Sequence, residues 1–320
     1  MEVISQKTIK DSKVGDGVKG LAWVCGYTVK PTKSGKKYID GQLQSGSTIP
    51  FKVWSDNSAF SNLSEYDFTD TPAYVTGEFN EYQGVKYINV QTIQAVDGYT
   101  KMQFMEQKYP TQSYATALIN LTQSTVTAKG FDLLNKVLFG NTELWNRFTE
   151  EFAAMSVHDN CLSGLLVHTY KVCSILSWVL STYPQLCVVD NTGTFSSDTK
   201  DILFIGAVLH DIGKVQELNF GVYQPNSAAT HCILGLDVLY QFRSEIEAAY
   251  GISGFRLLQS ILVEHHNEYG DKCRTVLAYV VHMCDLLDAR MTGLAQLIET
   301  QLQSDSTGFR VRFNGELLSL

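Results

Sequence analysis

The sequence predicts a two-domain protein, a small β barrel followed by an all-α domain. The chain has 320 residues, enough for about two domains. Before residue 97 or so, short runs rich in β-branched and aromatic residues alternate with turn residues. From residue 98 the apolar residues recur at helical spacing, and almost no alternating pattern returns before the tail GFRVRFNGELLSL at 308–320.

The first part of the chain has the element order of an OB-fold barrel. We predict strands over 20–30, 36–44 and 48–54, a short helix over 58–68, and strands over 72–82 and 85–96. Turn residues, as in KPTKSGK, separate the strands, and Phe60, Leu63 and Phe68 share a helix face. Three strands, a helix and two strands predict an OB-fold domain over residues 1–97.

The rest of the chain is predicted to be helical. Residues 98–140 begin with a polar, weakly helical stretch and are interpreted as a helical linker. Residues 141–320 contain several apolar helical patterns, such as LSGLLVHTYKVCSILSWVL and DTKDILFIGAVLHDIGK. The fold class is therefore multidomain, a β barrel plus an all-α domain.

Composition is that of a globular protein: 44% of residues are hydrophobic, 18% are charged, and the net charge is −8. No apolar run approaches the ~20 residues that span a bilayer. The first residues lack the pattern of a signal peptide. The seven cysteines form no C-x-x-C pair, which indicates reduced thiols. We therefore expect a cytoplasmic protein without a membrane partner.

Histidines and aspartates recur at the ends and centres of the apolar helices. His168 interrupts one such helix, and His210 and Asp211 end the next apolar run. The remaining members of the set are His231, His265, His266 and Asp285. An unpaired buried carboxylate is costly, whereas a shared divalent cation would offset its charge and accept imidazole lone pairs. Together these residues predict a metal site.

The order H…HD…H…HH…D resembles the ligand pattern of the HD-domain metal-dependent phosphohydrolases. The flanking segments FAAMSVHDNCLSGLLVHTYKV, LHDIGKVQEL, EHHNEYG and HMCDLLDARM resemble the YhaM-type 3′→5′ exoribonucleases. KSGKKYIDGQLQSGSTIPFKVW and GEFNEYQGVKYINVQTI resemble that family's OB domain. The resemblance spans both domains in the family's order, and it implies an HD domain over 141–320.

The resemblance also implies a ligand set. His168, His210, Asp211 and Asp285 would hold one ion, and Asp211 would bridge to a second ion held by His231, His265 and His266. These donors are nitrogen and oxygen only, which favours Mn²⁺ and leaves Fe, Co²⁺, Mg²⁺ and Zn²⁺ open, with one or two ions per chain. In this superfamily the HD pair ends a helix, and we expect Gly213 to loosen the turn after it.

Three residues are candidates for catalysis: Asp211, Lys214 and His158. Lys214 could donate to the negative charge that develops in the transition state, or be an ordinary solvated lysine. His158 could contact the phosphate, or serve as a cap or core residue. The family often has serine before the double histidine; Glu264, which stands there, could orient a histidine or lie on the surface.

The barrel carries candidate strand-binding residues. OB-folds bind single strands with a basic groove and stacking aromatic residues. The candidates are Lys30, Lys33, Lys36, Lys37, Trp54 and Tyr82. The four lysines lie in the hairpin between the first two strands, here called the lysine hairpin. Alternatively, these lysines are only solvated, and the aromatic residues fill the barrel core.

The predicted function is a metal-dependent 3′→5′ exonuclease, in which the barrel binds single-stranded RNA, or DNA, and the HD domain hydrolyses it. One alternative is an HD phosphohydrolase of small nucleotides or cyclic dinucleotides with a protein-docking barrel. A non-catalytic binding protein is another. The predicted partner is a single-stranded nucleic acid, with RNA favoured, and a homo-oligomer stays open.

Overall fold

The chain forms two units, Met1–Gln107 and Lys108–Leu320. The computed structural model describes residues 2–4, 11–32, 34–82, 84–154, 161–187, 196–220, 222–224, 228–267, 270–302, 310–313 and 316–319. The first unit extends beyond the predicted boundary at residue 97. The 3₁₀ turn Lys101–Phe104 places Phe104 in a buried cluster with Leu21 and Trp23, so this stretch belongs with the barrel.

The first unit is a closed five-stranded barrel, as predicted. Its elements are β1 (Gly17–Pro31), β2 (Lys37–Ser45), β3 (Ser47–Trp54), α1 (Ser58–Glu65), β4 (Thr71–Tyr82) and β5 (Val85–Ala95). The strand order is β1-β2-β3-β5-β4, and β1 pairs with β4 to close the barrel. Only β3 and β5 pair in parallel among the described strands of this barrel. Alternate residues such as Ile39, Phe51 and Phe79 fill the interior.

The second unit is mainly helical, again as predicted. Its helices are α2 (Thr111–Thr125), α3 (Ala128–Leu134), α4 (Thr142–Glu150), α5 (Gly164–Thr182), α6 (Ser197–Leu209), α7 (Lys214–Glu217), α8 (His231–Gln241), α9 (Arg243–Glu264) and α10 (Val276–Leu302). Helix α9 is broken at Gly251, whose φ is 68°. Two hairpins accompany them: β6 (Leu218–Asn219) with β7 (Val222–Tyr223), and β8 (Arg310–Phe313) with β9 (Glu316–Ser319). Two-residue strands such as β6 and β7 are too short to leave an alternating pattern.

The segment 98–140, interpreted from its sequence as a linker, is largely folded. Helices α2 and α3 lie within it, and Leu118 and Leu134 are completely buried in the core of the helical unit. The inward positions of α2 are few, Ala115, Leu118 and Thr122, so the segment reads as polar although it packs.

Helix α5 is apolar and long enough, by length and composition alone, to cross a membrane. In this structure it packs in the core of the helical unit instead, with Leu165, Leu166 and Leu176 completely buried. This central position explains its apolar character, and it carries His168 into the interior.

Candidate metal centre and nucleic-acid surface

Five helices bring the predicted ligand residues together. His168 lies within α5 and Asp285 within α10, while His210 and Asp211 directly follow α6. His231 is the first residue of α8, and the pair His265 and His266 follows α9. Residues far apart in sequence thus meet where several helices end or cross.

Asp211 lies between two groups of histidines. Its Oδ2 is 3.3 Å from His210 Nε2 and 3.6 Å from His168 Nε2. Its Oδ1 is 3.4 Å from His231 Nε2 and 3.7 Å from His265 Nε2. Asp211 is 2% exposed and His210 and His265 are fully buried. One carboxylate therefore presents one oxygen to each group.

The two groups are compact. On one side, His168 Nε2 lies 3.1 Å from Asp285 Oδ1 and 3.3 Å from His210 Nε2. On the other side, His231 Nε2 lies 2.8 Å from His266 Nε2. Each group is close enough to hold a metal ion. The second also includes Cys232, a thiol that the sequence reasoning overlooked although it directly follows His231.

Hydrogen bonds at Nδ1 orient the imidazoles. His210 and His265 each follow a helix and use Nδ1 to bond the carbonyls of Ala207 and Leu262, at 2.8 and 3.1 Å. The last carbonyls of a helix lack intrahelical donors, so this pairing satisfies both partners. Each Nε2 is then left facing the cluster.

Carboxylates orient the imidazoles of His168 and His231. His168 Nδ1 lies 2.7 Å from Asp288 Oδ2, and His231 Nδ1 lies 2.9 Å from Glu217 Oε2. Carboxylate partners of this kind fix the ring and its tautomer at metal sites. Glu217 was missed from the sequence, although it lies within the segment LHDIGKVQEL.

Burial and neighbouring charges shift the pKa values of several residues of the cluster. Burial opposes a charge on His168, but bonds with Asp285 and Asp288 more than offset it and raise the pKa of His168 to about 10. Burial also opposes a charge on Asp211, which by itself would raise the pKa of Asp211. Lys214 and His210 instead hold that pKa well below its ordinary range. Burial and the neighbouring His265 lower the pKa of His266 to about 3, so its lone pair is available at neutral pH.

The donor set fits a divalent cation. Asp211 Oδ1 and His265 Nε2 are buried atoms without a hydrogen-bond partner among the described residues. The 3.7 Å between them is too long for a hydrogen bond. A buried unsatisfied polar atom costs about 1–3 kcal/mol. A cation bound between Asp211 Oδ1 and His265 Nε2 would accept a lone pair from each atom.

Gly213 has a different role from the one expected. Its φ of −66° and ψ of −17° are ordinary helical values, so the turn needs no special freedom. A Cβ at Gly213 would instead lie 1.9 Å from the His231 carbonyl oxygen and 2.5 Å from the Gly235 nitrogen. Glycine is required because the backbones of α7 and α8 touch here, which brings His231 beside Asp211.

Lys214 pairs with Asp211, its Nζ lying 2.7 Å from Oδ2, and it also lines a pocket of about 770 Å³. The pocket includes Tyr223, His231 and His266, and its volume is in the ~300–1,000 Å³ range of ligand pockets. His158 lies outside the described residues.

Glu264 is buried, and it bonds no histidine among the residues that the structure describes. It is 7% exposed, and its Oε2 accepts bonds from Ser260 Oγ at 2.9 Å and Arg274 N at 2.7 Å. It thus ties the end of α9 to the loop that follows.

In the barrel unit, an aromatic and basic cluster covers the outer face of β2, β3 and β5 and includes the last residue of β4. Tyr38 and Trp54 pair across β2 and β3, with ring centroids 5.2 Å apart. The Nζ of Lys52 lies 4.7 Å from the ring centroid of Tyr87 and 5.2 Å from that of Tyr82. Trp54 is 36% exposed and Tyr82 60%, so neither fills the core. Lys52 was missed because a single lysine in a strand gives no distinctive signal.

The lysines of the predicted hairpin differ in how available they are to bind a phosphate. Lys36 and Lys37 are exposed, and their side chains form no ion pair with a described residue. Lys30 is paired with Asp40, which leaves it less available to a phosphate. Lys33 lies outside the described residues.

This chain, a barrel followed by a helical unit with a histidine-aspartate centre, is similar over most of its length to proteins named 3'-5' exoribonuclease YhaM. The 3'-5' exoribonuclease YhaM of Listeria monocytogenes serotype 4b (strain CLIP80459) is 26% identical over 312 residues, 92% of each chain. That of Oceanobacillus iheyensis is 24% identical over 302 residues, 89% of this chain and 88% of its own. The resemblance to YhaM-type exoribonucleases is thereby confirmed.

No protein-family model matches the chain. Among solved structures, a mitochondrial single-stranded DNA binding protein from S. cerevisiae aligns with 28% of this chain and all of its own. Its identity is 14% and its TM-score 0.24, too low to carry an argument.

Proposed function

We propose that this protein is a metal-dependent 3′→5′ exoribonuclease of the cytoplasm, in which the barrel grips single-stranded RNA and the helical unit, an HD domain, hydrolyses its 3′ end. The position of Asp211, with one oxygen toward each histidine group, carries the proposal. The similarity to exoribonucleases over about nine-tenths of the chain supports the substrate class.

The chain's own residues would divide the work. His168, His210, Asp211 and Asp285 would hold one divalent cation, for which Mn²⁺ is favoured. Asp211, His231, His265 and His266 would hold a second. Such cations supply Lewis acidity, which activates water and offsets phosphate charge. Lys214, on the pocket wall, would donate to the developing negative charge on the phosphate.

The barrel would supply affinity without base specificity. Tyr38, Trp54 and Tyr82 are positioned as stacking surfaces, and base stacking contributes about 1–3 kcal/mol per base. Lys36 and Lys37 would pair with backbone phosphates. A hydrolase of small nucleotides would have no need of this surface, which is why a single strand is the proposed substrate.

The test uses single-stranded RNA labelled at its 5′ end. The protein with Mn²⁺ should give a descending ladder, EDTA should abolish it, and a bulky 3′ block should prevent it where a 5′ cap does not. Asp211→Asn should remove both activity and most bound metal, because a carboxylate shared by both groups loses its charge. Asp237→Asn, an exposed carboxylate on α8, is the matched control and should behave as wild type.

Two outcomes would contradict the proposal. Cleavage of a circular single strand would exclude an enzyme that needs a free 3′ end. Hydrolysis confined to mononucleotides or cyclic dinucleotides would favour a small-molecule phosphohydrolase instead.

A further inference from the structure

Cys232 lies among the histidines of the second group. Ligand atoms of His231, Cys232, His265 and His266 all lie within 4.8 Å of one another. Cys232 is the second residue of α8 and is half-buried. Among the described cysteines it alone is grouped with possible metal ligands.

Buried donor atoms without a hydrogen-bond partner are a second, independent feature of this part of the cluster. His265 is fully buried, its Nδ1 bonds the Leu262 carbonyl, and its Nε2 has no partner among the described residues. Asp211 Oδ1, 3.7 Å away, is also without a partner. A thiol grouped with an imidazole whose Nε2 has no partner among the described residues is a donor environment that a cation completes.

The two groups form the two halves of the centre, and the halves differ in their donor atoms. His168, His210 and Asp285 offer nitrogen and oxygen, whereas the second group adds sulfur. Thiolates favour Zn²⁺ and other borderline or soft ions, and carboxylates favour Mg²⁺ and Mn²⁺. Since Asp211 faces both groups, the halves would share one carboxylate while differing in metal preference.

We propose that the Cys232 thiolate is a ligand of the second cation, together with His231, His265 and His266, and that this half of the centre selects Zn²⁺, Fe²⁺ or Co²⁺ over Mn²⁺ and Mg²⁺. Binding forms a sulfur–metal bond and releases the thiol proton to solvent. The inference rests on the proposed function only in requiring that the centre binds cations.

Cobalt binding to the 320-residue chain tests the sulfur ligand directly. The chelator-treated protein is titrated with Co²⁺, and bound cobalt and the near-ultraviolet spectrum are both measured. Wild type should show a thiolate-to-cobalt charge-transfer band. Cys232→Ser and Cys232→Ala should lose that band and still bind cobalt in the other half of the centre.

Cys273→Ser is the matched control. Its thiol is also half-buried, and it donates to the Glu264 carbonyl at 3.1 Å, outside the cluster. This variant should keep the band. Zn²⁺ affinity should fall about tenfold or more in Cys232→Ser, since even outer partners of metal ligands contribute about 10- to 100-fold. Mn²⁺ affinity should hardly change, which also shows that the variant is folded.

Each outcome of the cobalt titration supports or overturns the Cys232 ligand. A band that is absent from wild type with bound cobalt, or that survives Cys232→Ser, would overturn the sulfur ligand and leave the nuclease proposal standing. Failure of wild type to bind cobalt would also overturn it. The expected band in a protein that never cleaves RNA, assayed in parallel, would support the ligand and refute the nuclease.

Discussion

At the scale of single residues, the carboxylates behind the histidines are as informative as the candidate ligands. Asp288 is 4% exposed and accepts at Oδ2 from His168 Nδ1, and at Oδ1 from Thr292 Oγ1 at 3.0 Å. These contacts hold the His168 ring with Nε2 toward Asp211 and Asp285. Asp288 thus acts through His168, as a positioning residue.

We expect Asp288→Asn to reduce metal affinity by about 10- to 100-fold, the usual effect of losing such a partner. Saturating metal should restore much of the turnover, because the ligands themselves remain. Metal titration followed by bound-metal analysis measures this, with Asp237→Asn as control. Unchanged affinity would mean that Asp288 serves only to stabilise the fold.

At the scale of elements, contact between α7 and α8 depends on one glycine. Gly213→Ala must displace His231, because its Cβ would lie 1.9 Å from that residue's carbonyl oxygen. We expect a loss of about 1–3 kcal/mol in unfolding free energy, or more, together with weaker metal binding.

Gly235→Ala is the comparison for this prediction. A Cβ there would meet Leu262 Cδ2 at 3.4 Å, an ordinary contact, so this variant should fold and bind metal nearly as wild type. Urea unfolding followed by far-ultraviolet circular dichroism, with metal titration, measures both effects. Equal behaviour of the two variants would contradict the close approach.

Helix α2 provides a second test at this scale. Leu118 is completely buried in the core of the helical unit, whereas Asn120 on the same helix is exposed. Leu118→Ala should cost about 2–5 kcal/mol of unfolding free energy, and Asn120→Ala little. The same unfolding measurement applies. A loss well below that range for Leu118→Ala would restore the interpretation of 98–140 as a linker.

At the scale of the whole molecule, substitutions in the barrel should weaken strand binding without slowing hydrolysis in the helical unit. Replacing both Lys36 and Lys37 by alanine removes two exposed charges of the barrel hairpin. The slope of log affinity for single-stranded RNA against log salt should fall by about 0.7 for each lost phosphate contact. Cleavage of a very short RNA, which needs little grip, should be nearly unchanged.

The control for the hairpin removes the same charge elsewhere on the barrel. Lys13 and Lys19 are exposed, and Lys19 lies where β1 pairs with β4. Lys13→Ala with Lys19→Ala should leave the salt slope as in wild type. Binding is measured in the Asp211→Asn background, where the strand should stay intact. Equal slopes in both double variants would show that the hairpin makes no phosphate contact.

The sequence by itself determined the barrel, the helical unit and the set of residues offered for the metal centre. Alternation in strands such as β3 and the helical spacing of α5 and α6 are local patterns, because burial of one face imposes them along the chain. The H…HD…H…HH…D order was visible for a similar reason, since polar groups stand out in apolar helices.

Only the tertiary structure decided which atoms meet. Asp211 faces two histidine groups, Glu217 and Asp288 orient two of the imidazoles, and Cys232 joins one group. The actual role of Gly213 was hidden too, as was the packing of α2. Each depends on contacts between segments distant in sequence, and such contacts leave no periodic trace along the chain.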